Sequence, residues 1–216
     1  MSVAVTADVA GRGAEQIAEH IRSAVSERGR CSIALAGGTT PRAIYAVLAG
    51  IALPWNAVDF YFGDERCVPP DDADSNYRMA REALLDRVPA GTAHRMQAER
   101  ADRDAAAADY AALLPERLDV LVLGIGEDGH TASLFPGSAA LSSTNRVELV
   151  HGPKPPPWRL TITPRAILAA REIVVVATGR GKASVVERAL AGDAALPASL
   201  ARHGTWIVDE AAAGRA

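Results

Sequence analysis

Ala14, Ile17, Ala18, Ile21, Ala24 and Val25 recur three and four residues apart, the spacing of one helical face, and Gly29 stops the pattern. This predicts an amphipathic helix over residues 11–28. A short apolar run at 31–36 then reads as a buried strand. It breaks at Gly37-Gly38-Thr39-Thr40-Pro41, after which Ile44, Tyr45, Val47 and Leu48 return to helical spacing. Pro41 suits the first helical position and Thr40 the N-cap. The alternation continues with strands expected at 58–63, 118–123, 147–150, 159–163, 172–177 and 206–208. Helices are expected over 76–87, capped by Ser75, over 102–114, after Pro164, and from Lys182 onward. Residues 94–96 add a short edge strand, and 152–157 form a stiff proline-rich connector. The start of the chain leaves little room for a full strand before the first helix, and residues 209–216 read as a frayed tail.

Strands that alternate with helices throughout imply an α/β fold with a mostly parallel sheet covered on both faces. No repeat or linker interrupts the alternation, so one domain is expected over residues 1–216. In such sheets ligands bind outside the carboxyl ends of the strands. Four expected strand ends carry Gly-Gly-Thr-Thr (37–40), Asp-Glu-Arg (64–66), Asp-Gly-His (128–130) and Thr-Gly-Arg-Gly-Lys (178–182). Parallel topology gathers them on one edge.

The centre of this chemistry is the stretch 118–137, LDVLVLGIGEDGHTASLFPG. Its buried run ends at Gly124 and Gly126, and delivers Asp128 and His130 to the strand end on backbone free to turn sharply. The glycines formally match the dinucleotide fingerprint G-x-G-x-x-G, with Glu148 as the ribose acid. That fingerprint needs a long helix starting at the glycines, and Pro136-Gly137 arrives after barely two turns. The plainer alternative is a strand-to-helix turn with charges left in solvent. Gly37, Gly38, Thr39 and Thr40 stand where a strand meets a helix N-terminus, so free N–H groups and hydroxyls converge there as an anion site. Arg66 can pair a phosphate or carboxylate, or be absorbed in a salt bridge with a neighbouring acid. Lys182 heads a helix and can reach a phosphate, although the Walker A spacing is absent.

Composition narrows the partners. The formal charge of −3, from 23 Lys+Arg and 26 Asp+Glu, gives no reason to expect nucleic acid. Cys31 and Cys67 suggest neither a disulfide framework nor a metal pair, and the five His show no i,i+4 spacing. The N-terminal residues lack a signal-peptide pattern, and no apolar run approaches the ~18 residues of a membrane span. A cytoplasmic chain without metal, cofactor or membrane contact is expected.

The blocks AGGTTP (36–41), GDERCVPPDDADSNYRMA (63–80), GIGEDGHTASLFPG (124–137), KPPPWRLTIT (154–163) and TGRGKA (178–183) resemble the 6-phosphogluconolactonase family. They span nearly the whole chain and keep the family's order. The resemblance implies a three-layer α/β/α sandwich with a Rossmann-like sheet, shared with glucosamine-6-phosphate deaminase and ribose-5-phosphate isomerase. It implies hydrolysis of 6-phospho-D-glucono-1,5-lactone to 6-phosphogluconate in the oxidative pentose phosphate pathway. The chain departs from the family in its short start and its compact segment between Gly137 and Lys154.

The residues suit that chemistry. A lactone needs a nucleophilic water, a base and stabilisation of the tetrahedral oxyanion. His130 is the natural base, since an unperturbed imidazole titrates near ~6.5. Asp128 or Asp64 orients it. No G-x-S-x-G elbow supports a covalent serine route. Phosphate binding falls to Gly37, Gly38, Thr39, Thr40, Arg159 and Lys182, and Arg66 serves either phosphate or carbonyl. The alternatives are a sugar-phosphate deaminase or isomerase on the same scaffold, or a sugar-phosphate-sensing regulatory domain. The last would need a helix-turn-helix module that these residues leave no room for. The expected partner is the small sugar-phosphate lactone, bound by a monomer or weak dimer.

Overall fold

The computed structural model describes residues 2–215. The chain runs β1 (Ser2–Val5), α1 (Val9–Arg28), β2 (Cys31–Leu35), α2 (Thr39–Leu48), β3 (Val58–Phe62), β4 (Asp64–Arg66) and α3 (Asn76–Ala83). It continues with α4 (Arg103–Leu113), β5 (Val120–Gly124), β6 (Val147–His151), β7 (Trp158–Ile162), α5 (Pro164–Ala169), β8 (Glu172–Ala177), α6 (Ala183–Leu190) and β9 (Thr205–Val208). Six strands form a parallel sheet in the order β1-β9-β8-β5-β2-β3. Residues 120–123 of β5 and 174–177 of β8 are all buried, as continuous Leu/Val runs require when helices cover both faces. α1 turns Ile17, Ala18, Ile21 and Ala24 into the core and packs beside α2. It is capped by the Asp8 side chain at its start, and by left-handed Gly29 (φ 76°) at its end.

Strand order reverses between β2 and β5. The chain leaves β2 for β3 on one side and leaves β5 for β8 on the other. The connections after these two neighbours therefore part, and the gap at their carboxyl ends is a topological switch point. Both glycine-rich turns, 36–38 and 124–129, open into it.

A second sheet was not legible in the sequence: β4, β7 and β6 pair antiparallel. Gly63 is the junction. Its N–H donates to the Leu35 carbonyl of the parallel sheet, and its own carbonyl accepts from Ile162 N–H of the small one. Asp64-Glu65-Arg66 is thus a strand of its own and not the end of β3.

Four further expectations change. A full strand precedes the first helix, because β1 pairs with β9 at the sheet edge. Gly38 (φ 108°) is the N-cap of α2 in place of Thr40, so the helix begins at Thr39 and Pro41 lies inside its first turn. Residues 94–96 form no strand; one bridge between Phe60 and Ala93 covers the β3 edge. The segment after β9 is docked and not frayed: Ala212 is fully buried and the Asp209 carboxylate accepts from Gly179 and Ala212 N–H. Ala216, also assigned to the tail, lies outside the described residues. No helix among the described residues is long and apolar enough to cross a membrane.

Candidate active site

A cleft of about 280 Å³ occupies the switch point. That is just below the roughly 300–1,000 Å³ range of ligand sites, and suits a ligand of monosaccharide size. Nine of the ten residues singled out from the sequence line it: Gly37, Gly38, Thr39, Thr40, Asp64, Arg66, His130, Arg159 and Lys182. The tenth, Asp128, lines a neighbouring groove and reaches His130 from behind.

One wall is built for an anion. The Tyr45 hydroxyl accepts from Ala36 N–H (2.8 Å) and donates to the Ala36 carbonyl (3.1 Å), which locks the end of β2 to α2. Gly37 and Gly38 then carry the chain into the α2 N-terminus. Asn76 packs so close to Gly37 that a Cβ there would overlap its amide. Across the cleft Thr178 ends β8, and the Thr40 and Thr178 hydroxyls are 2.8 Å apart. Lys182 follows Gly179 (φ 93°), whose N–H is held by Asp209. Two helix starts, three hydroxyls and an ammonium face one cavity.

The opposite wall carries the titratable pair. Gly126 N–H donates to the His130 carbonyl (2.8 Å) and Gly129 N–H to the Gly126 carbonyl (3.0 Å), closing a tight turn with Gly129 at φ 81°. The Asp128 carboxylate accepts from His130 N–H (3.2 Å) and lies 2.5 Å from Nδ1 of the same ring. Of the two acids considered, Asp128 is therefore the one on the imidazole. Burial alone would raise the Asp128 carboxyl, but the His130 N–H and the imidazole beside it hold it below its ordinary value. With Nδ1 engaged, Nε2 is the free ring nitrogen.

Asp64 sits between the walls on the small sheet. Asn76 Nδ2 donates to its Oδ1 (3.0 Å) and the Ser133 hydroxyl to its Oδ2 (2.5 Å). Arg66 and Arg159 face each other across β4 and β7. Arg66 is not in a salt bridge with its neighbours: Nη1 donates to the Asp74 carbonyl (2.6 Å), and Nε is buried with no partner. Glu65 is occupied elsewhere, accepting from Arg66, Asn76 and Tyr77 N–H and from the Ser75 hydroxyl. Arg159 is buried, and its contacts to Pro156 O, Ser133 Oγ and Lys154 O are all 3.2–3.5 Å. Five N–H donors so weakly used leave room for a stronger acceptor. Burial pulls the Arg159 pKa down, Asp64 opposes this and Arg66 adds to it. An anion would offset both the desolvation and the cross-strand repulsion.

Asn76, Ser133 and Thr178 belong to the site and were not assigned to it from the sequence. Ser133 left one signal, a lone hydroxyl in the apolar run Ala132–Phe135, where burial would demand a partner. The G-x-G-x-x-G alternative fails in the structure, since no helix starts at those glycines.

Comparison with known proteins agrees with this architecture. Residues 4–208 match the family described as glucosamine-6-phosphate isomerases/6-phosphogluconolactonase. The 6-phosphogluconolactonase of Streptomyces coelicolor is 40% identical over 96% of this chain and 90% of its own. The solved 6-phosphogluconolactonase of Thermotoga maritima superposes with a TM-score of 0.88 at 27% identity, over 96% of this chain and 99% of that one. A solved monomeric glucosamine-6-phosphate deaminase superposes with a TM-score of 0.87 at 22% identity, over 100% of both chains. At that identity the likeness is one of fold, and the chemistry has to be argued from the residues.

Proposed function

The chain belongs to the glucosamine-6-phosphate isomerase/6-phosphogluconolactonase family, and we propose that it hydrolyses 6-phospho-D-glucono-1,5-lactone to 6-phospho-D-gluconate in the oxidative pentose phosphate pathway. The observation that carries the proposal is the placement of an Asp128-oriented His130 across a small cleft from an anion wall. The phosphate is held by Gly37, Gly38, Thr39, Thr40 and Lys182, with Arg159 supplying further donors. This turns C1 of the lactone toward His130. Water attacks C1 while Nε2 takes its proton, and the carbonyl becomes an oxyanion that Arg66 stabilises. Asp64 fixes the attacking water. The C1–ring oxygen bond then breaks, and the proton returns from Nε2 to the leaving ring oxygen. The enzyme acts as one cytoplasmic domain without a cofactor.

The decisive assay compares release of 6-phosphogluconate from fresh lactone with the spontaneous rate, and tests glucosamine 6-phosphate in parallel. Acceleration of the first with no ammonia from the second is the expected result; the reverse would overturn the reading.

Two further results are expected. Among the described residues no group of three or more His, Cys, Asp or Glu side chains is arranged to hold a metal ion. Activity should therefore survive dialysis against EDTA; a loss restored by added zinc or magnesium would show that Asp64, Asp128 and His130 had been misassigned. Lys182→Ala separates binding from chemistry. A contact to the non-reacting phosphate is made equally in ground and transition states, so its loss raises KM. A charge-assisted hydrogen bond worth about 1.5–3 kcal/mol corresponds to a 10- to 150-fold rise. The variant should keep kcat within a few-fold and lose its preference for phosphorylated over unphosphorylated lactone. Loss of kcat at unchanged KM would mean that Lys182 acts at C1.

A further inference from the structure

We propose that Ser133 is a positioning residue for the reacting end of the cleft, acting through Asp64; the proposal rests on the lactonase reading. Ser133 is fully buried. Its hydroxyl donates to Asp64 Oδ2 at 2.5 Å, and its N–H donates to Thr161 Oγ1 at 3.1 Å. Asp64 and Thr161 stand directly opposite one another on β4 and β7, so their side chains share one face of that antiparallel pair. Ser133 plugs onto the pair with both of its polar groups. Asn76 Nδ2 takes the other carboxylate oxygen. With each oxygen tied to a different partner, the Asp64 carboxylate has one orientation, and its unused lone pairs are left for the cleft it lines.

Ser133 also lies three residues beyond His130 in the same turn. Thr131 Oγ1 donates to the Gly124 carbonyl (2.9 Å), and Leu134 N–H donates to the Thr131 carbonyl (3.0 Å), pinning the turn to the end of β5. Between them Ala132 has φ 48°, a left-handed conformation that disfavours any residue with a Cβ. Such a conformation persists only where its surroundings over-determine it. Here the Thr131 bonds fix one side and the Ser133 bonds the other. One turn from β5 therefore sets the imidazole through Asp128, and sets a carboxylate carried by a different sheet through Ser133. The distance between the two chemical groups is built into a single short segment.

Misplacing a reacting group by about 1 Å costs on the order of 10²-fold in rate. Ser133→Ala is expected to lower kcat about 10- to 100-fold with KM within about threefold, since of the proposed phosphate contacts only Arg159 loses a partner, and that one at 3.5 Å. The distinguishing reading is a double-mutant cycle with Asp64→Ala. In that background Ser133→Ala should remove nothing further, because the group it acts through has gone. Losses that multiply, or a single variant with wild-type kcat, overturn the proposal. If the alanine variant does not fold, Ser133→Cys, close in volume and a weak donor, enters the same cycle with the same two readings. A wild-type chain inert toward the lactone would defeat the activity reading alone. The crystal structure of the Ser133 variant then decides: Asp64 turned from its wild-type orientation supports the proposal, and Asp64 unmoved overturns it.

Discussion

Replacement of His130 by alanine is expected to lower kcat for lactone hydrolysis by about 10²–10⁴-fold, or about 2.7–5.4 kcal/mol of transition-state stabilisation. Among the described residues His130 is the one imidazole lining the cleft. Its Nδ1 is committed to Asp128, so Nε2 is left to take the proton from water. Folding should be little affected, because the ring is part-exposed and rests on Phe135 with centroids 4.9 Å apart. KM should stay within a few-fold, since the proposed phosphate contacts, Arg159 of the small sheet apart, lie on the other wall. Asp128 sharpens the test. Its carboxyl is held below its ordinary value, so it stays charged and keeps its hold on Nδ1 under mildly acidic conditions. A His130→Ala protein that kept more than half of the wild-type kcat would move the role of base to Asp64.

The second large effect comes from a residue with no side chain. A Cβ on Gly126 would overlap His130 Nδ1 and crowd the Asp128 carboxylate. The imidazole and its partner pack directly against Gly126, whose N–H donates to the His130 carbonyl and closes the turn. Gly126→Ala should therefore push the ring aside without touching the phosphate wall. A displacement near 1 Å predicts a loss of about 10²-fold in kcat at nearly constant KM. Gly124, two residues away, lines the same cleft, and a Cβ there would meet no protein atom within 4 Å. Kinetics of the two alanine variants side by side check the account: a methyl at Gly124 that only intrudes on the substrate raises KM, whereas a kcat loss at Gly124 equal to that at Gly126, with KM unchanged, would show that the packing of His130 is not the cause.

Much of this was visible in the chain because periodicity and strand-end chemistry are local. The α1 face, the buried runs of β5 and β8, and the glycine turns that follow β2 and β5 are each written in fewer than twenty consecutive residues. What escaped depends on partners far away in sequence. β1 is only four residues, the first two of them exposed, and its pairing with β9 makes it a strand. Asp64-Glu65-Arg66 is too short and too charged to announce a strand, and it needed Gly63 between two sheets to become one. Ser133 and Asp64 are 69 residues apart and meet only because β4 and the turn after β5 converge. Thr40 was a reasonable N-cap by composition, but Gly38 could take the positive φ and freed that hydroxyl to meet Thr178.

The pairing of β1 with β9 also sets an order of events during synthesis. Ser2 lies beside Thr205 in the sheet, so β1, made before the other strands of the sheet, has no neighbour until the last of them, β9, is made. At about 5–20 residues per second the chain spends on the order of ten seconds or more with that segment unpaired. Contacts so distant in sequence also close slowly once the partner exists. β9 is flanked by β8, so it can join the sheet before β1 arrives. The nascent chain can thus assemble its cleft from the elements between residues 31 and 182, and receive its oldest strand as the closing edge.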